Sequence, residues 1–579
     1  MKVRLAKTAG FCMGVRRAME LTLKALNRED TPIYSYGPLI HNSQVMDMLG
    51  NKGLRTIYKR DEWPEEGRTV IIRAHGVPPD ERKALKEAGL KVINATCPRV
   101  IRVQAIIRKY TKNGYAAIIV GDAEHAEVVG LLGHAGGNGW AVKSEAEIHA
   151  LPNLEKVIVV AQTTQSRPHF ADMVSVIQGR WPQAVIFNTI CDTTHDRQEE
   201  VRQLSSQVQA MIVVGGHNSG NTTRLAEVSR SAGTKTIHLE TEDELDPEWL
   251  SSLDTVGVTS GASTPNWMIK RVTRELERTS RRRKLSFRNV FRRVLRILVL
   301  SNVYIALGAG SLTMAGTMLQ GLSPGLKLFA VVFFYVHAMH ILNLFLDKEA
   351  GKFNDPDRAL FLESHKKVLI GSGIFSAMAS LGLGFSIGPP VLLILFITGF
   401  IGLLYSIRIV PKSLEPYTRL TRLKDFPASR TLSVSTGWAL SLSLIPALTP
   451  DGSINWSTLL VATVIFLLVF IRSNLVGIFD IQGDRIIGRE TIPIIIGEER
   501  TLAMLNLTVS LLALVLVLGW ILNLFPSLAL LLLIVPVYVG LYLVVYQRKK
   551  FVISALFEAL VDGSFILPGV ISWLWWVWL

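Results

Sequence analysis

Hydrophobic residues follow two different patterns along this chain of 579 residues, and the change between them falls near Leu295. Before that point, short apolar runs alternate with amphipathic stretches of helical period, which is typical of an α/β domain with mainly parallel sheets. Beyond it, the apolar segments are long enough to span a bilayer. The pattern therefore predicts a soluble α/β domain, residues 1–275, a basic juxtamembrane linker, residues 276–294, and an all-α membrane domain, residues 295–579.

Polar clusters follow nearly every predicted strand of the first part. In parallel sheets, ligands bind beyond the carboxyl ends of the strands. Clusters at the same relative place therefore predict one shared polar site. They occupy residues 37–42, 73–76, 121–127, 162–166, 215–221 and 260–264.

The three cysteines of the chain, Cys12, Cys97 and Cys191, each stand between a predicted strand and a predicted helix. This repeated unit predicts three related lobes, each directing one thiol toward a common centre. A helix N-terminus favours the thiolate form that soft metals need. Zinc sites usually use close cysteine pairs, which are absent, so three distant thiolates favour a 4Fe–4S cluster with one iron open to substrate. Three unrelated core cysteines are the alternative.

Several side chains in the polar clusters can donate hydrogen bonds to an anion: His41, His75, His125, Ser219, Asn221 and Ser263. A single histidine at such a place is more commonly structural, but this set is suited to an anionic ligand. The glycine-rich loop 215–221 could hold a phosphate through its backbone N–H groups. Glu127, two residues after His125, is a candidate proton donor in a dry site.

Nine apolar segments of the second part are long enough to span a membrane. They cover residues 295–316, 324–344, 368–387, 390–409, 431–448, 456–476, 502–522, 527–545 and 552–577. Lysine and arginine are concentrated in the loops after the second, fourth, sixth and eighth segments. The positive-inside rule therefore predicts a multi-pass inner (cytoplasmic) membrane protein whose N-terminal domain is cytoplasmic. The first residues lack the apolar stretch of a signal peptide.

The net charge of +15 is densest in residues 270–296, which contain twelve basic and two acidic residues. Because this stretch adjoins the first apolar segment, we expect a basic helix on anionic lipid rather than a nucleic-acid-binding surface. A solvated linker is the alternative interpretation.

Six motifs of the first part occur in the order known from one enzyme family: residues 10–18, 38–42, 74–77, 94–98, 162–166 and 218–222. They resemble 4-hydroxy-3-methylbut-2-enyl diphosphate reductase, the LytB/IspH family. The resemblance implies a pseudo-threefold α/β fold around a 4Fe–4S cluster held by the three cysteines. It implies reductive dehydroxylation to isopentenyl and dimethylallyl diphosphate, the last step of the methylerythritol phosphate pathway. It also implies a ferredoxin or flavodoxin as electron donor.

The same resemblance implies roles for individual residues. The three histidines, Ser219, Asn221 and Ser263 would hold the substrate diphosphate, Glu127 would deliver protons, and Thr163 would lie near the allylic hydroxyl. The sequence departs from the family at two positions. Ala126 stands where the family usually has proline, and Gly220 stands where a serine often contributes to diphosphate binding.

The membrane part contains two acidic motifs, Asn343 with Asp347 after the second segment and Asp480 with Asp484 after the sixth. Side chains four residues apart share a helix face, and such carboxylates can bridge Mg²⁺ to a diphosphate leaving group. The pattern resembles the UbiA-type prenyltransferases. It implies transfer of a prenyl group from a diphosphate to an aromatic or lipid acceptor.

The first acidic motif departs from this family at Gly351, where the pattern usually has a third acid, and Asp355 and Asp357 are candidate replacements. The leading hypothesis is therefore a reductase fused to a membrane prenyltransferase. In a second hypothesis, the membrane domain is a degenerate anchor for the reductase. In a third, the soluble part binds a cluster but acts as a sensor.

Overall fold

The computed structural model describes residues 1–29, 32–281, 287–346, 351, 353–406, 426, 428–548 and 555–578. The chain divides into two compact units, Met1–Arg283 and Lys284–Leu579. In the described residues, the first unit is α/β and the second is entirely helical.

Twelve strands form three four-stranded sheets in the first unit, and all strand pairs are parallel. The strands are β1 (Lys2–Leu5), β2 (Ile33–Tyr36), β3 (Leu54–Ile57), β4 (Thr69–Ile72), β5 (Lys91–Asn94), β6 (Ala116–Val120), β7 (Gly139–Val142), β8 (Val157–Ala161), β9 (Val185–Phe187), β10 (Ala210–Val214), β11 (Lys235–Leu239) and β12 (Thr255–Ser260). Their orders are β1-β12-β10-β11, β3-β2-β4-β5 and β7-β6-β8-β9. The predicted three-lobed α/β architecture is thereby confirmed.

Helices connect the strands of each sheet. They are α1 (Met13–Arg28), α2 (Ser43–Asn51), α3 (Pro79–Glu87), α4 (Pro98–Thr111), α5 (Ala126–His134), α6 (Glu145–Ala150), α7 (Arg167–Arg180), α8 (Asp192–Ser205), α9 (Gly220–Ser231), α10 (Pro247–Ser251) and α11 (Asn266–Arg281). The inner strands β6, β8 and β10 are apolar and buried at every residue. Helices on both faces of a parallel sheet produce this pattern, so each sheet has a core on each side.

The second unit consists of helices α12 (Phe287–Leu300), α13 (Val303–Leu319), α14 (Leu326–Leu346), α15 (Pro356–Ser364), α16 (Lys366–Ile387), α17 (Pro389–Ser406), α18 (Ser429–Ala447), α19 (Trp456–Ile487), α20 (Ile492–Ile496), α21 (Glu498–Ile521), α22 (Leu528–Leu531), α23 (Ile534–Gln547) and α24 (Ala555–Trp578). Large apolar side chains such as Phe375, Phe385 and Phe400 are exposed on its outer surface. Such a surface is expected where helices face lipid.

Six helical segments of the described part are long and apolar enough to cross a bilayer, and the bent pair α12 and α13 would add a seventh. This confirms a multi-pass membrane domain but not the predicted number of nine spans. Helix α17 is a shorter apolar helix. The first half of α18 contains several serine and threonine residues, which lower its mean hydropathy.

The described residues of the basic stretch 270–296 belong to two helices, and residues 282–286 lie outside the described part. Its first part belongs to α11, which buries Ile269, Val272 and Leu276 in the core beside β10 and β12. Its last part belongs to α12, which meets α13 at an angle of 76°. The apolar side of α12 is exposed at Val290, Phe291, Val294 and Ile297, which is the surface expected of a helix lying in the membrane interface.

Candidate functional site

Each cysteine follows an edge strand of one sheet and is the N-cap of the next helix. Cys12 lies between β1 and α1, Cys97 between β5 and α4, and Cys191 between β9 and α8. Strands β1, β5 and β9 lie at the edges of their sheets. The predicted strand–cysteine–helix unit is therefore present once in each lobe.

The same backbone contact fixes each cysteine. The cysteine N–H donates to a carbonyl oxygen in the loop after the neighbouring strand: Cys12 to Ala262 at 3.1 Å, Cys97 to Ala74 at 2.9 Å, and Cys191 to Thr163 at 2.9 Å. These loops also carry Ser263, His75 and Thr163. Each thiol is thus tied to a loop with a residue predicted to bind substrate.

The three thiols are free and half-buried. Burial raises the pKa of the Cys97 thiol, and the nearby Cys12 and Cys191 add to the rise, against backbone N–H groups at the start of α4. Burial therefore affects the pKa of Cys97 more than the helix N-terminus does, which was expected to lower it. A Cβ atom on Gly14 would lie 2.5 Å from the Cys97 sulfur, so the glycine leaves space beside this thiol. Three free thiols that influence one another electrostatically fit the ligand set of a 4Fe–4S cluster.

His41, His75 and His125 form a compact group, although they come from two lobes. Their ring centroids lie 4.7, 5.4 and 5.7 Å apart. Burial lowers the pKa of all three imidazoles, to about 4 for His125. The histidines are therefore neutral at physiological pH and can each donate one N–H.

Ser219, Asn221 and Ser263 lie in the lobe of the β1-β12-β10-β11 sheet and are almost completely buried. The Ser263 hydroxyl donates to the backbone carbonyl of His41 at 3.0 Å and lies 3.4 Å from the Ser219 hydroxyl. This contact joins the serines to the loop that carries His41.

Some buried polar atoms at this site have no hydrogen-bond partner among the residues that the structure describes. They are His41 Nε2, His75 Nδ1 and both polar atoms of the Asn221 side chain. Because buried polar groups are normally paired, these atoms indicate the place of a polar ligand.

Arg73 is a site residue that the sequence pattern does not single out. Its charge lowers the pKa of His41, His75 and His125, which places it near all three. Three imidazoles this close could hold a metal ion. A neighbouring guanidinium opposes a cation and attracts an anion, so the group favours an anionic ligand. The sequence signal that could have identified Arg73 is its position in the polar cluster 73–76.

Glu127 and Thr163 form a buried pair in the lobe of the β7-β6-β8-β9 sheet. The Glu127 carboxyl group, with 2% of the residue exposed, accepts from the N–H of Thr163 at 2.7 Å and from its hydroxyl at 2.8 Å. Burial raises the pKa of Glu127, although these two hydrogen bonds act against the rise. His125 Nδ1 accepts from the Glu127 N–H at 3.1 Å. A buried carboxyl group with a raised pKa therefore adjoins the histidine group.

In the second unit, Asp480 and Asp484 lie one turn apart in the last part of α19. Asp484 is completely buried and accepts from the side-chain amide of Asn354 at 3.0 Å. Arg430 and Arg489 lie 3.6 and 3.8 Å from its carboxylate. The other acidic motif is only partly described, since Asn343 lies in the last turn of α14 and Asp347 lies outside the described residues.

The two candidate replacements for the acid missing at Gly351 form ion pairs. Asp355 caps α15 and lies 3.5 Å from Arg358, and Asp357 lies 2.9 Å from Arg296. The neighbouring Asn354 instead contacts the second acidic motif, and its side chain approaches Gly483 closely enough to exclude a Cβ atom there. An amide, whose oxygen is a possible metal ligand, thus adjoins Asp484 of the second acidic motif.

Comparison with known proteins gives a separate match for each unit. Residues 3–277 match the model of the family described as LytB protein, and residues 302–561 match that of the UbiA prenyltransferase family. The chain is 42% identical over 287 residues to the 4-hydroxy-3-methylbut-2-enyl diphosphate reductase of Opitutus terrae. This match covers 48% of this chain and 99% of that protein. The chain is also 41% identical over 276 residues to the protein of the same name from Aquifex aeolicus, which covers 47% and 95%.

Solved structures show likeness to each unit in turn. The structure of (E)-4-hydroxy-3-methyl-but-2-enyl diphosphate reductase, described as the terminal enzyme of the non-mevalonate pathway, is 41% identical, with a TM-score of 0.40. It covers 48% of this chain and 100% of that chain. A UbiA homolog from Archaeoglobus fulgidus bound to GPP and Mg²⁺ is 14% identical and covers 48% and 99%, with a TM-score of 0.36.

Proposed function

Because the chain belongs to the LytB family in its first unit and carries a UbiA prenyltransferase family domain behind it, we propose that it joins a reductase to a prenyltransferase. The reductase acts on 4-hydroxy-3-methylbut-2-enyl diphosphate, the substrate named for its relatives. Two electrons and two protons remove the hydroxyl group as water and leave isopentenyl or dimethylallyl diphosphate. A ferredoxin or flavodoxin supplies the electrons.

The observation that carries this proposal is the set of polar residues that follow the strands of all three sheets. The residues that receive the diphosphate are His41, His75, His125, Ser219, Asn221 and Ser263. The unpaired buried atoms of His41, His75 and Asn221 support that role, as does the charge of Arg73 beside the histidines. Neutral imidazoles bind the anion by donating N–H groups rather than by full charge, and this allows the product to leave.

The remaining groups of the site serve the chemistry at the other end of the substrate. Cys12, Cys97 and Cys191 hold a 4Fe–4S cluster, which when bound supplies electrons and a Lewis-acidic iron. Glu127 holds a proton for delivery because its surroundings are dry. Thr163 fixes the Glu127 carboxyl group through two hydrogen bonds and lies next to the allylic hydroxyl.

Reductive turnover separates a reductase from a cluster-binding sensor. The full chain is incubated anaerobically with the hydroxylated diphosphate and reduced methyl viologen, and the products are identified. A reductase forms the two five-carbon diphosphates. A sensor oxidises no viologen and forms neither product.

Replacing Gly220 by serine should strengthen diphosphate binding. A Cβ atom at Gly220 would meet no atom within 4 Å, and the position is the first residue of α9 beside Ser219. A hydrogen bond to a charged group contributes about 1.5–3 kcal/mol, so we expect KM for the diphosphate to fall by about tenfold. Gly220→Ala is the matched control, since it adds the Cβ atom without the hydroxyl. Equal KM values for the two variants would contradict the assignment of this loop.

The membrane domain transfers a prenyl group from a diphosphate to an aromatic or lipid acceptor. Support comes from Asp480 and Asp484, whose spacing places both carboxylates on one face of α19. With Asn343 and Asp347 they bind Mg²⁺, which neutralises the diphosphate leaving group. Arg430 and Arg489 balance the charge of buried Asp484 in the free protein.

The membrane orientation is part of the same proposal. Nine spans, with the first unit and both acidic motifs on the cytoplasmic side, agree with the distribution of lysine and arginine in the sequence. The alternative function of this domain is a degenerate membrane anchor. Gly351 favours that alternative, whereas the contact of Asn354 with Asp484 opposes it by keeping a polar ligand at the acidic motif.

A further inference from the structure

Arg197 is a buried cation that the proposed reaction does not use. It lies on α8, six residues after Cys191, and only 4% of it is exposed. Its guanidinium donates to the carbonyl of Gly10 at 2.6 Å and to that of Ser260 at 3.1 Å. Its Nε is buried with no hydrogen-bond partner among the described residues. A full charge is thus kept in the interior with fewer hydrogen bonds than it can make.

The charges that face Arg197 show what balances it. Burial lowers the pKa of Arg197, while Cys12, Glu200 and Cys191, in decreasing order, act in the opposite direction. Two of these three compensating groups are proposed cluster ligands, and the contact of Arg197 with Gly10, two residues before Cys12, agrees with this. Arginine nevertheless keeps its proton at any physiological pH, so it presents a permanent positive charge to these sulfurs.

We propose that Arg197 is the buried countercharge of the iron–sulfur cluster and sets its reduction potential. This inference rests on the proposed function, because it requires a cluster on the three cysteines. Reduction adds one electron, and hence one negative charge, to a group already bound by three thiolates, and no bond is formed or broken. A fixed positive charge in a buried site stabilises the reduced form more than the oxidised one. The electron comes from the donor protein of the ferredoxin or flavodoxin class.

Glu200 provides an independent variant with the opposite expected effect. Its carboxylate accepts from the N–H of Lys7 at 2.6 Å, and from the N–H and hydroxyl of Thr8 at 2.8 and 2.6 Å. It therefore fixes the loop before Cys12 and partly compensates Arg197. Glu200→Gln keeps oxygen and size but removes the negative charge, which should make the cluster easier to reduce.

The test is a redox titration of the anaerobically purified full chain, followed by the electron paramagnetic resonance signal of the reduced cluster. For Arg197→Gln we expect the ratio of reduced to oxidised cluster at a fixed potential to fall about tenfold, a shift of about −59 mV for a one-electron couple. Arg197→Lys should stay near the wild type, and Glu200→Gln should shift positively. Arg202→Gln, an exposed arginine on the same helix, is the matched control and should not shift.

Each outcome decides the inference. Loaded Arg197→Gln and Glu200→Gln chains with the wild-type potential, or shifts of the same sign, would overturn it. If Arg197→Gln does not hold iron, Glu200→Gln decides alone: a positive shift supports the countercharge and an unchanged potential refutes it. A wild-type chain without iron would instead refute the proposed function, so the two failures are distinguishable.

Discussion

Replacing Glu127 by glutamine should lower reductase turnover by roughly 10²–10⁴-fold, the usual contribution of a positioned proton donor, while leaving the cluster in place. Glutamine keeps an oxygen that can accept from Thr163, but it cannot deliver a proton. The cysteines are untouched by this change. The measurement is anaerobic steady-state turnover with reduced methyl viologen, alongside the iron content of the same sample.

Glu124→Gln is the matched control for this variant. Glu124 lies in the loop just before α5, the helix of Glu127, but is exposed, and its backbone N–H donates to Asp122. Its replacement should leave turnover unchanged. If Glu127→Gln also retained wild-type turnover with a full complement of iron, Glu127 would not be the proton donor, and another group would have to supply the proton.

Replacing Asp480 or Asp484 by asparagine should abolish prenyl transfer, with a loss of roughly 10²-fold or more. A bound metal ion contributes several kcal/mol to stabilising a charged leaving group, and each 1.4 kcal/mol is a factor of ten in rate. Reductase turnover of the same chain should be unchanged, since the changes lie in the second unit. Transfer is measured in membranes supplied with a series of allylic diphosphates and with aromatic or lipid acceptors.

Asp480→Asn is the more informative of the two variants. Asp484 is fully buried and lies 3.6 and 3.8 Å from Arg430 and Arg489, so its replacement also removes these two ion pairs. Asp451→Asn, at an exposed loop position outside α19, is the control for a general effect of losing an acid. Equal transfer by wild type and both α19 variants would support the anchor hypothesis for this domain.

The sequence predicts the lobes well because the signals for them are local. Each cysteine stands between a strand and a helix, and that order along the chain can be read without any tertiary information. Parallel pairing brings the carboxyl ends of the strands of one sheet to the same edge, which is why His41 and His75, after the paired strands β2 and β4, could be grouped from the sequence. What the pattern cannot show is that β1 joins β12 across the length of the domain.

The features that the sequence does not reveal depend on contacts between distant residues. Arg197 looks like one of several charged residues on an amphipathic helix until its contacts with Gly10 and Ser260 are seen. Asp357 looks available to a metal until it is found beside Arg296. The raised pKa of Cys97 likewise follows from burial, which one sequence does not display, and not from its place at a helix N-terminus.

The segment 295–316 shows a limit of hydropathy. The predicted segment 295–316 reads as one continuous apolar stretch, but the helix breaks at Asn302, which adopts the left-handed region with φ of 60°. The two parts then differ in direction by 76°. Hydropathy averaged over a window does not register such a break, because it contains no information on the direction of the backbone.

Iron and acid-labile sulfide analysis of the anaerobically purified full chain tests the central claim most directly. The account predicts one 4Fe–4S cluster per chain, and loss of that cluster when Cys97 is replaced by serine. Colourless wild-type protein without iron, or a Cys97→Ser chain that keeps its full complement of iron and sulfide, would contradict the assignment of the three cysteines.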